Sequence, residues 1–208
     1  VVGGAYYDFV LRSDGCLMLA FGEVGADGVP AGLTLAILRT TLRAAARENA
    51  APAQALQESN ELLSPDLPPG IAVTCIYTIL DPASGELCIG NAGHASPLWV
   101  RKASIDEVGP RDNALSLEFN SRYTETGVTL LTGDCMLFYS HALLTAKNPE
   151  GEEFGLARIK DAATGHMNEP CDLIESVVMA VREFVGGKWT PDRDVTLIAL
   201  QRLSTHIP

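Results

Sequence analysis

Two apolar, aromatic-bearing runs, Tyr6 to Leu11 and Cys16 to Glu23, flank Ser13-Asp14-Gly15 and predict two strands joined by a tight turn. The apolar period then changes. Leu35, Leu38 and Leu42 recur at helical spacing within an Ala-, Leu- and Arg-rich stretch, so a helix is predicted from Ala31 to Asn49. Pro30 sits at its start, where the fixed φ suits a first turn and the missing N–H is not needed. A second helix is predicted from Pro52 to Leu63, ended by Ser64-Pro65 and Pro68-Pro69-Gly70. Ile71 to Leu80 and Glu86 to Ala92 read as strands around the turn-forming Asp81-Pro82-Ala83-Ser84-Gly85. Further strands are predicted over Pro97 to Arg101, Tyr123 to Leu131 and Asp134 to Tyr139, the last two joined by Thr132-Gly133. The polar, irregular stretch from Lys102 to Arg122 reads as a loop. Near the end, Leu173, Ile174, Val177, Val178, Val181, Phe184 and Val185 form one stripe opposite Asp172, Glu175, Arg182 and Glu183. That is an amphipathic helix over 170–185, stopped by Gly186-Gly187, with a final strand from Val195 to Leu203. Runs of strands split by two helical blocks predict an α+β layered domain.

Composition narrows the class. A chain of 208 residues with 47% hydrophobic and 20% charged residues fits one globular domain, 1–208, with a sizeable core. A net charge of −11 argues against nucleic acid and against anionic membrane surfaces, both of which want basic patches. No apolar run approaches the roughly 20 residues a membrane helix needs. The five cysteines show no metal-ligand spacing, which predicts reduced, mostly buried thiols and a cytoplasmic protein. The start at Val1-Val2-Gly3-Gly4, without Met, suggests a domain excised from a longer regulatory protein. Phosphate-loop and nucleophile-elbow motifs are absent.

Five short segments carry the chemistry. They are Gly3-Gly4-Ala5-Tyr6-Tyr7-Asp8-Phe9, Gly22-Glu23-Val24-Gly25-Ala26-Asp27-Gly28-Val29-Pro30-Ala31, Asn91-Ala92-Gly93-His94, Tyr139-Ser140-His141-Ala142 and Arg193-Asp194-Val195-Thr196. In order and spacing they resemble the PP2C-like, SpoIIE-type serine/threonine phosphatases of the bacterial sporulation and stress-response branch. That family's usual forms are GGDYYDF, GDVSGKGVPA, NAGH, YTDG and DDIT. The resemblance covers essentially the whole chain and implies a four-layer αββα sandwich, with two antiparallel sheets flanked by helices. It also implies a chemistry in which carboxylates converge on two Mg²⁺ or Mn²⁺ ions that activate water for phosphate-ester hydrolysis.

Ala5, Glu23, His141 and Arg193 stand where the resemblance places the metal ligands. Ala5 has no donor atom, and Glu23 keeps a carboxylate one methylene longer than Asp. His141 exchanges oxygen for nitrogen, and Arg193 brings a guanidinium that repels a divalent cation. Asp8 survives, but lies on the other side of its strand from Ala5 or is offset along it. A degenerate site that needs no cofactor is therefore expected. The function that follows is a pseudophosphatase acting as a protein-binding output domain in bacterial regulation, of the sigma-factor or stress-response kind. An active Mg- or Mn-dependent phosphatase acting on an anti-sigma-factor antagonist is the alternative, with Glu23, the Val24 carbonyl, Asp192 and Asp194 as ligands. A structural or homodimerising domain, using the helix over 170–185, is a third. Arg39, Arg43 and Arg47 recur every four residues on one face of the first helix. They read either as a solvated face or as a cationic stripe for an acidic protein partner.

Overall fold

A computed structural model describes residues 4–67, 71–165, 170–186, 189, 191 and 193–203. The chain forms two compact units, Val1–Ser96 with Gly109–Thr129, and Pro97–Val108 with Leu130–Pro208.

The first unit holds an antiparallel sheet of five strands, β1 (Ala5–Leu11), β2 (Leu17–Val24), β3 (Val73–Leu80), β4 (Glu86–Ala92) and β7 (Glu125–Thr129), paired in that order. The turn at Ser13-Asp14-Gly15 closes β1 onto β2. Gly15 has φ +84°, the left-handed region that glycine adopts without steric cost, and the Asp14 carboxylate accepts from the Cys16 N–H at 3.0 Å. Side chains alternate across the sheet. Tyr6, Met18, Ala20, Val24, Val73, Cys75, Tyr77 and Ala92 share one face with a core completed by α1 (Gly28–Arg47) and α2 (Pro52–Leu63). Leu38, Leu42, Ala45 and Ala46 of α1 and Ala55, Leu56 and Leu63 of α2 are buried there. Small residues let the layers approach: a Cβ on Gly90 would stand 2.9 Å from Leu56 Cδ1 and 3.1 Å from Pro52 Cβ. Pro52 opens α2 as its fixed φ favours, and the Glu125 carboxylate accepts from the Ala53 N–H at 3.0 Å, a negative charge at the positive end of the helix.

The second unit holds a four-stranded antiparallel sheet, ordered β6 (Ile105–Glu107), β5 (Leu98–Val100), β8 (Cys135–Tyr139) and β9 (Leu197–Gln201), with α3 (His141–Leu144), α4 (Gly155–Ala163) and α5 (Pro170–Val185). Leu173, Val177 and Val181 are the buried face of α5, and the Phe184 ring meets Phe154 edge-on at 5.4 Å.

Four features depart from the sequence reading. β6 lies inside the stretch read as loop, because three residues with two acids at a sheet edge carry no periodic signal. α3 and α4 went unread, being short; α4 buries only Ile159 and Ala163. β7 and β8, although joined by a short link, do not pair: the chain changes sheets there. Only Cys75 and Cys135 are buried thiols; Cys16 and Cys88 are half-buried and Cys171 is exposed. Burial pushes the Cys75 and Cys135 thiols up to about 12, so both stay protonated and inert. Among the described residues, no helix is long and apolar enough to cross a membrane.

Candidate functional site

The register of the first sheet places the ligand-position residues of the two N-terminal motifs side by side. Ala5 pairs with Glu23, and Glu23 pairs with Thr74, so one row crosses β1, β2 and β3 on the face turned away from α1 and α2. The row offers a methyl group, one carboxylate and one hydroxyl. The Thr74 hydroxyl lies 2.9 Å from His94 Nδ1 and 3.4 Å from the Glu23 carbonyl oxygen. His94 in turn ends the Asn91-Ala92-Gly93-His94 turn, which Asn91 ties at both ends. Asn91 Nδ2 donates to the His94 carbonyl at 3.0 Å, and Asn91 Oδ1 accepts from the His94 N–H at 2.9 Å. Gly93 has φ +68°, and a Cβ there would lie 2.7 Å from the Ala114 nitrogen, so this position admits only glycine. The His94 ring also meets Phe21 edge-on at 5.2 Å. Val24 points to the helix-covered face. Its N–H donates to the Gly4 carbonyl at 2.8 Å, while a Cβ on Gly4 would lie 2.8 Å from the Val24 oxygen. The second motif glycine is thus required by close backbone approach.

Asp8 lies three residues from Ala5 and therefore on the opposite face, under α1. Arg43 grips it with both Nε and Nη2, the latter at 2.7 Å from Oδ1, and Arg39 Nε stands 3.6 Å from Oδ2. Tyr6 Oη donates to Oδ2 at 3.2 Å and the Phe9 N–H to Oδ1 at 3.0 Å. The Arg43 hydrogen bonds hold the Asp8 carboxyl below its ordinary value, against the opposing pull of burial. Burial, followed by the Asp8 charge, drives the Tyr6 phenol upward. Arg43 therefore has an intramolecular role, tying α1 to β1, that the reading of a docking stripe did not include. Arg47 occupies the last turn of α1 and is exposed.

A pH dependence follows, with a definite sign. The folded-state pKa of Asp8 is depressed, so its stabilising contribution is complete above the unfolded carboxylate value of about 3.9 and is lost as pH falls through the lower folded value. Asp8→Asn is expected to lower the urea midpoint at neutral pH, with the gap from the parent closing towards about pH 3. A gap that stays constant with pH would show that the ion pair contributes nothing through titration.

In the second unit, β8 and β9 bring the other two motifs together. The Ser140 N–H donates to the Thr196 carbonyl and the Thr196 N–H donates to Ser140 Oγ, both at 3.0 Å, extending the β8–β9 pairing by one rung. His141 follows as the first residue of α3, and Arg193 lies on a bend before β9. Both side chains line one cavity of about 470 Å³ with Lys147, Glu153, Val185 and Trp189. Asp194 is exposed and is not part of that lining. Asp192 lies outside the described residues. Glu23 belongs to the first unit and Arg193 to the second. Among the described residues, no group of three or more His, Cys, Asp or Glu side chains could hold a metal ion.

The stage II sporulation protein E (SpoIIE) family description matches residues 13–203. This chain belongs to the SpoIIE family. The RsbU and RsbW domains of Rv1364c from Mycobacterium tuberculosis superpose on this SpoIIE-type chain with a TM-score of 0.81 at 26% identity, covering 98% of it and 57% of that structure. The SiaA-PP2C domain of Pseudomonas aeruginosa superposes with a TM-score of 0.83 at 20% identity, over 96% of this chain and 81% of its own, which shows the PP2C-like α+β fold. Protein IcfG of Synechocystis sp. is 22% identical over 97% of the chain, but the match spans only 36% of that longer relative. The sequence reading of family and fold class is borne out.

Proposed function

We propose that this SpoIIE-type domain is a pseudophosphatase, a module that binds and regulates rather than hydrolyses, in a bacterial signalling pathway of the sigma-factor or stress-response kind. One observation carries the reading: the positions matched to the family's metal ligands hold a methyl, a carboxylate, an imidazole and a guanidinium. Ala5 stands directly opposite Glu23 in the β1–β2 register, so the first sheet supplies one carboxylate where the resemblance implies two. Arg193 cannot lose its proton, and its charge opposes a divalent cation at the position it occupies. Two hard cations need several converging oxygens, and this donor set does not fit them. On this reading the domain, 1–208, is the output part of a longer cytoplasmic protein and its partner is another protein. Arg39, Arg43 and Arg47 are the candidate contact for an acidic partner, with Arg43 already engaged by Asp8; a homodimer through α5 is the separate alternative.

An active phosphatase is the second reading. The carboxylate kept at Glu23 favours it, and the Val24 carbonyl, Asp192 and Asp194 would complete its ligands with Mg²⁺ or Mn²⁺. Hydrolysis of p-nitrophenyl phosphate or a phosphoserine peptide separates the two. The rate with millimolar Mg²⁺ or Mn²⁺ is expected to equal the protein-free background. Metal-dependent turnover that a chelator abolishes would put the active phosphatase first.

A further inference from the structure

β1 is an end strand of its sheet, paired with β2 on one side and, among the described residues, with no strand on the other. The Val24 N–H donates to the Gly4 carbonyl and the Arg12 N–H to the Cys16 carbonyl, both at 2.8 Å. Hydrogen-bonded pairs alternate along an antiparallel ladder, so Tyr6, Asp8 and Val10 turn their backbone groups to β2. Those of Ala5, Tyr7, Phe9 and Leu11 point to the open side. The Phe9 N–H agrees, donating at 3.0 Å to the Asp8 carboxylate rather than to β2. Natural edges are blunted with Lys or Pro, and this strand holds neither. Its two faces differ in chemistry. Tyr7, Phe9 and Leu11 are 58%, 41% and 73% exposed on the face turned away from α1, and the Tyr7 and Phe9 rings meet edge-on at 6.2 Å. On the other face, the Asp8 carboxylate reaches the open side, and the two arginines around it stand there too. The Arg43 side chain is 37% exposed and that of Arg39 53%. Two guanidiniums meet one carboxylate, a local surplus of positive charge in a protein whose net charge is −11.

We infer that the open edge of β1 docks an extended segment of a partner protein whose side chains alternate between apolar and acidic. Such a segment adds as a sixth strand, and the outward N–H and C=O groups of Ala5, Tyr7, Phe9 and Leu11 supply its ladder. Its side chains alternate between the faces, so every second one meets Tyr7, Phe9 and Leu11 and the others meet Arg39 and Arg43. An incoming carbonyl takes the Phe9 N–H from Asp8, whose Oδ1 keeps Arg43 Nη2 at 2.7 Å. Charge selects this occupant over a second copy of the chain. An antiparallel second β1 would continue the sheet with its own α1 on the same face, setting arginines against arginines. Acidic side chains there answer the surplus charge instead, and they set specificity and association rate. The site rests on the binding-module reading above, to which it adds the partner's chemistry.

A fluorescein-labelled peptide of alternating valine and glutamate, about eight residues long to match β1, tests this by fluorescence anisotropy. It is expected to bind the chain saturably, and a valine–lysine peptide of the same length to bind about tenfold more weakly or not at all. Tyr7→Pro removes an outward N–H that β2 does not use, a place where edge strands tolerate proline, and should raise Kd about tenfold. Arg39→Gln leaves Arg43 to hold Asp8 and should raise Kd about fivefold, with far-UV circular dichroism checking that both variants fold. Hydrogen exchange at the Tyr7 and Leu11 amides should slow when the valine–glutamate peptide is added, which contact through side chains alone would not cause. No saturable binding, equal binding of the lysine peptide, or unchanged affinity in both variants overturns the inference and leaves the pseudophosphatase reading standing. A doubled mass of the unliganded chain by light scattering, abolished by Tyr7→Pro, also overturns it, because the edge then holds a second copy. Mn²⁺-dependent hydrolysis of p-nitrophenyl phosphate by the same preparation would overturn the pseudophosphatase reading and leave the peptide result intact.

Discussion

Gly22→Ala is expected to destabilise the first unit by about 3 kcal/mol, near the upper end of what overpacking costs. The reason is space rather than backbone conformation. A Cβ at position 22 would stand 2.4 Å from the Thr74 carbonyl oxygen and 3.2 Å from the Cys75 Cα, both backbone atoms of β3. No side chain can rotate to relieve such a contact, so β2 must move away from β3. That separation falls next to the Glu23–Thr74 pair and would spread the row that faces away from the helices. Gly127→Ala in β7 is the control: nothing lies within 4 Å of the added methyl, so the change should stay within about 0.5 kcal/mol. Urea denaturation followed by circular dichroism measures both. Equal midpoints for parent and Gly22→Ala would contradict the β2–β3 register.

The second large effect is a gain. Combining Ala5→Asp, Glu23→Asp, His141→Asp and Arg193→Asp should produce Mn²⁺-dependent hydrolysis of p-nitrophenyl phosphate about a hundredfold above the parent's background. Any one change alone should produce none. A two-metal centre works as a unit, because each cation is held in place partly by ligands shared with the other, and a single carboxylate added beside Arg193 would pair with the guanidinium instead. The order of addition matters for the same reason: the three-fold variant that keeps Arg193 should stay inactive, with the cation opposing metal entry. Activity in that three-fold variant would show that Arg193 does not block the site. An inactive, folded four-fold variant would show that carboxylates at these four positions are not sufficient for hydrolysis.

Strands and helices with a sustained period were legible along the chain. α2 and β4 begin and end where the sequence pattern says, because Pro52 and the Asp81–Gly85 turn are local signals with local causes. The identity of the four ligand-position residues was equally legible, since the spacing of the motifs places them. Even the Ala5–Glu23 pairing follows from the turn at Ser13-Asp14-Gly15, which sets the register of the whole hairpin. Distance along the chain is what hid the rest. β7 and β8 look like neighbours in sequence, yet sheet membership depends on partners far away, β4 for one and β5 with β9 for the other. The Arg43–Asp8 pair joins residues 35 apart, so the arginine stripe looked free until α1 was laid on the sheet. The cavity in the second unit gathers His141, Lys147, Trp189 and Arg193 from segments with no common motif. The sequence by itself determined the elements with a sustained period, the family and which residues stand at the ligand positions, because each is set by a residue and its near neighbours. Only the tertiary structure decided which charges are neutralised inside the fold and which converge on a cavity, because electrostatic interactions depend on separation in space and on burial.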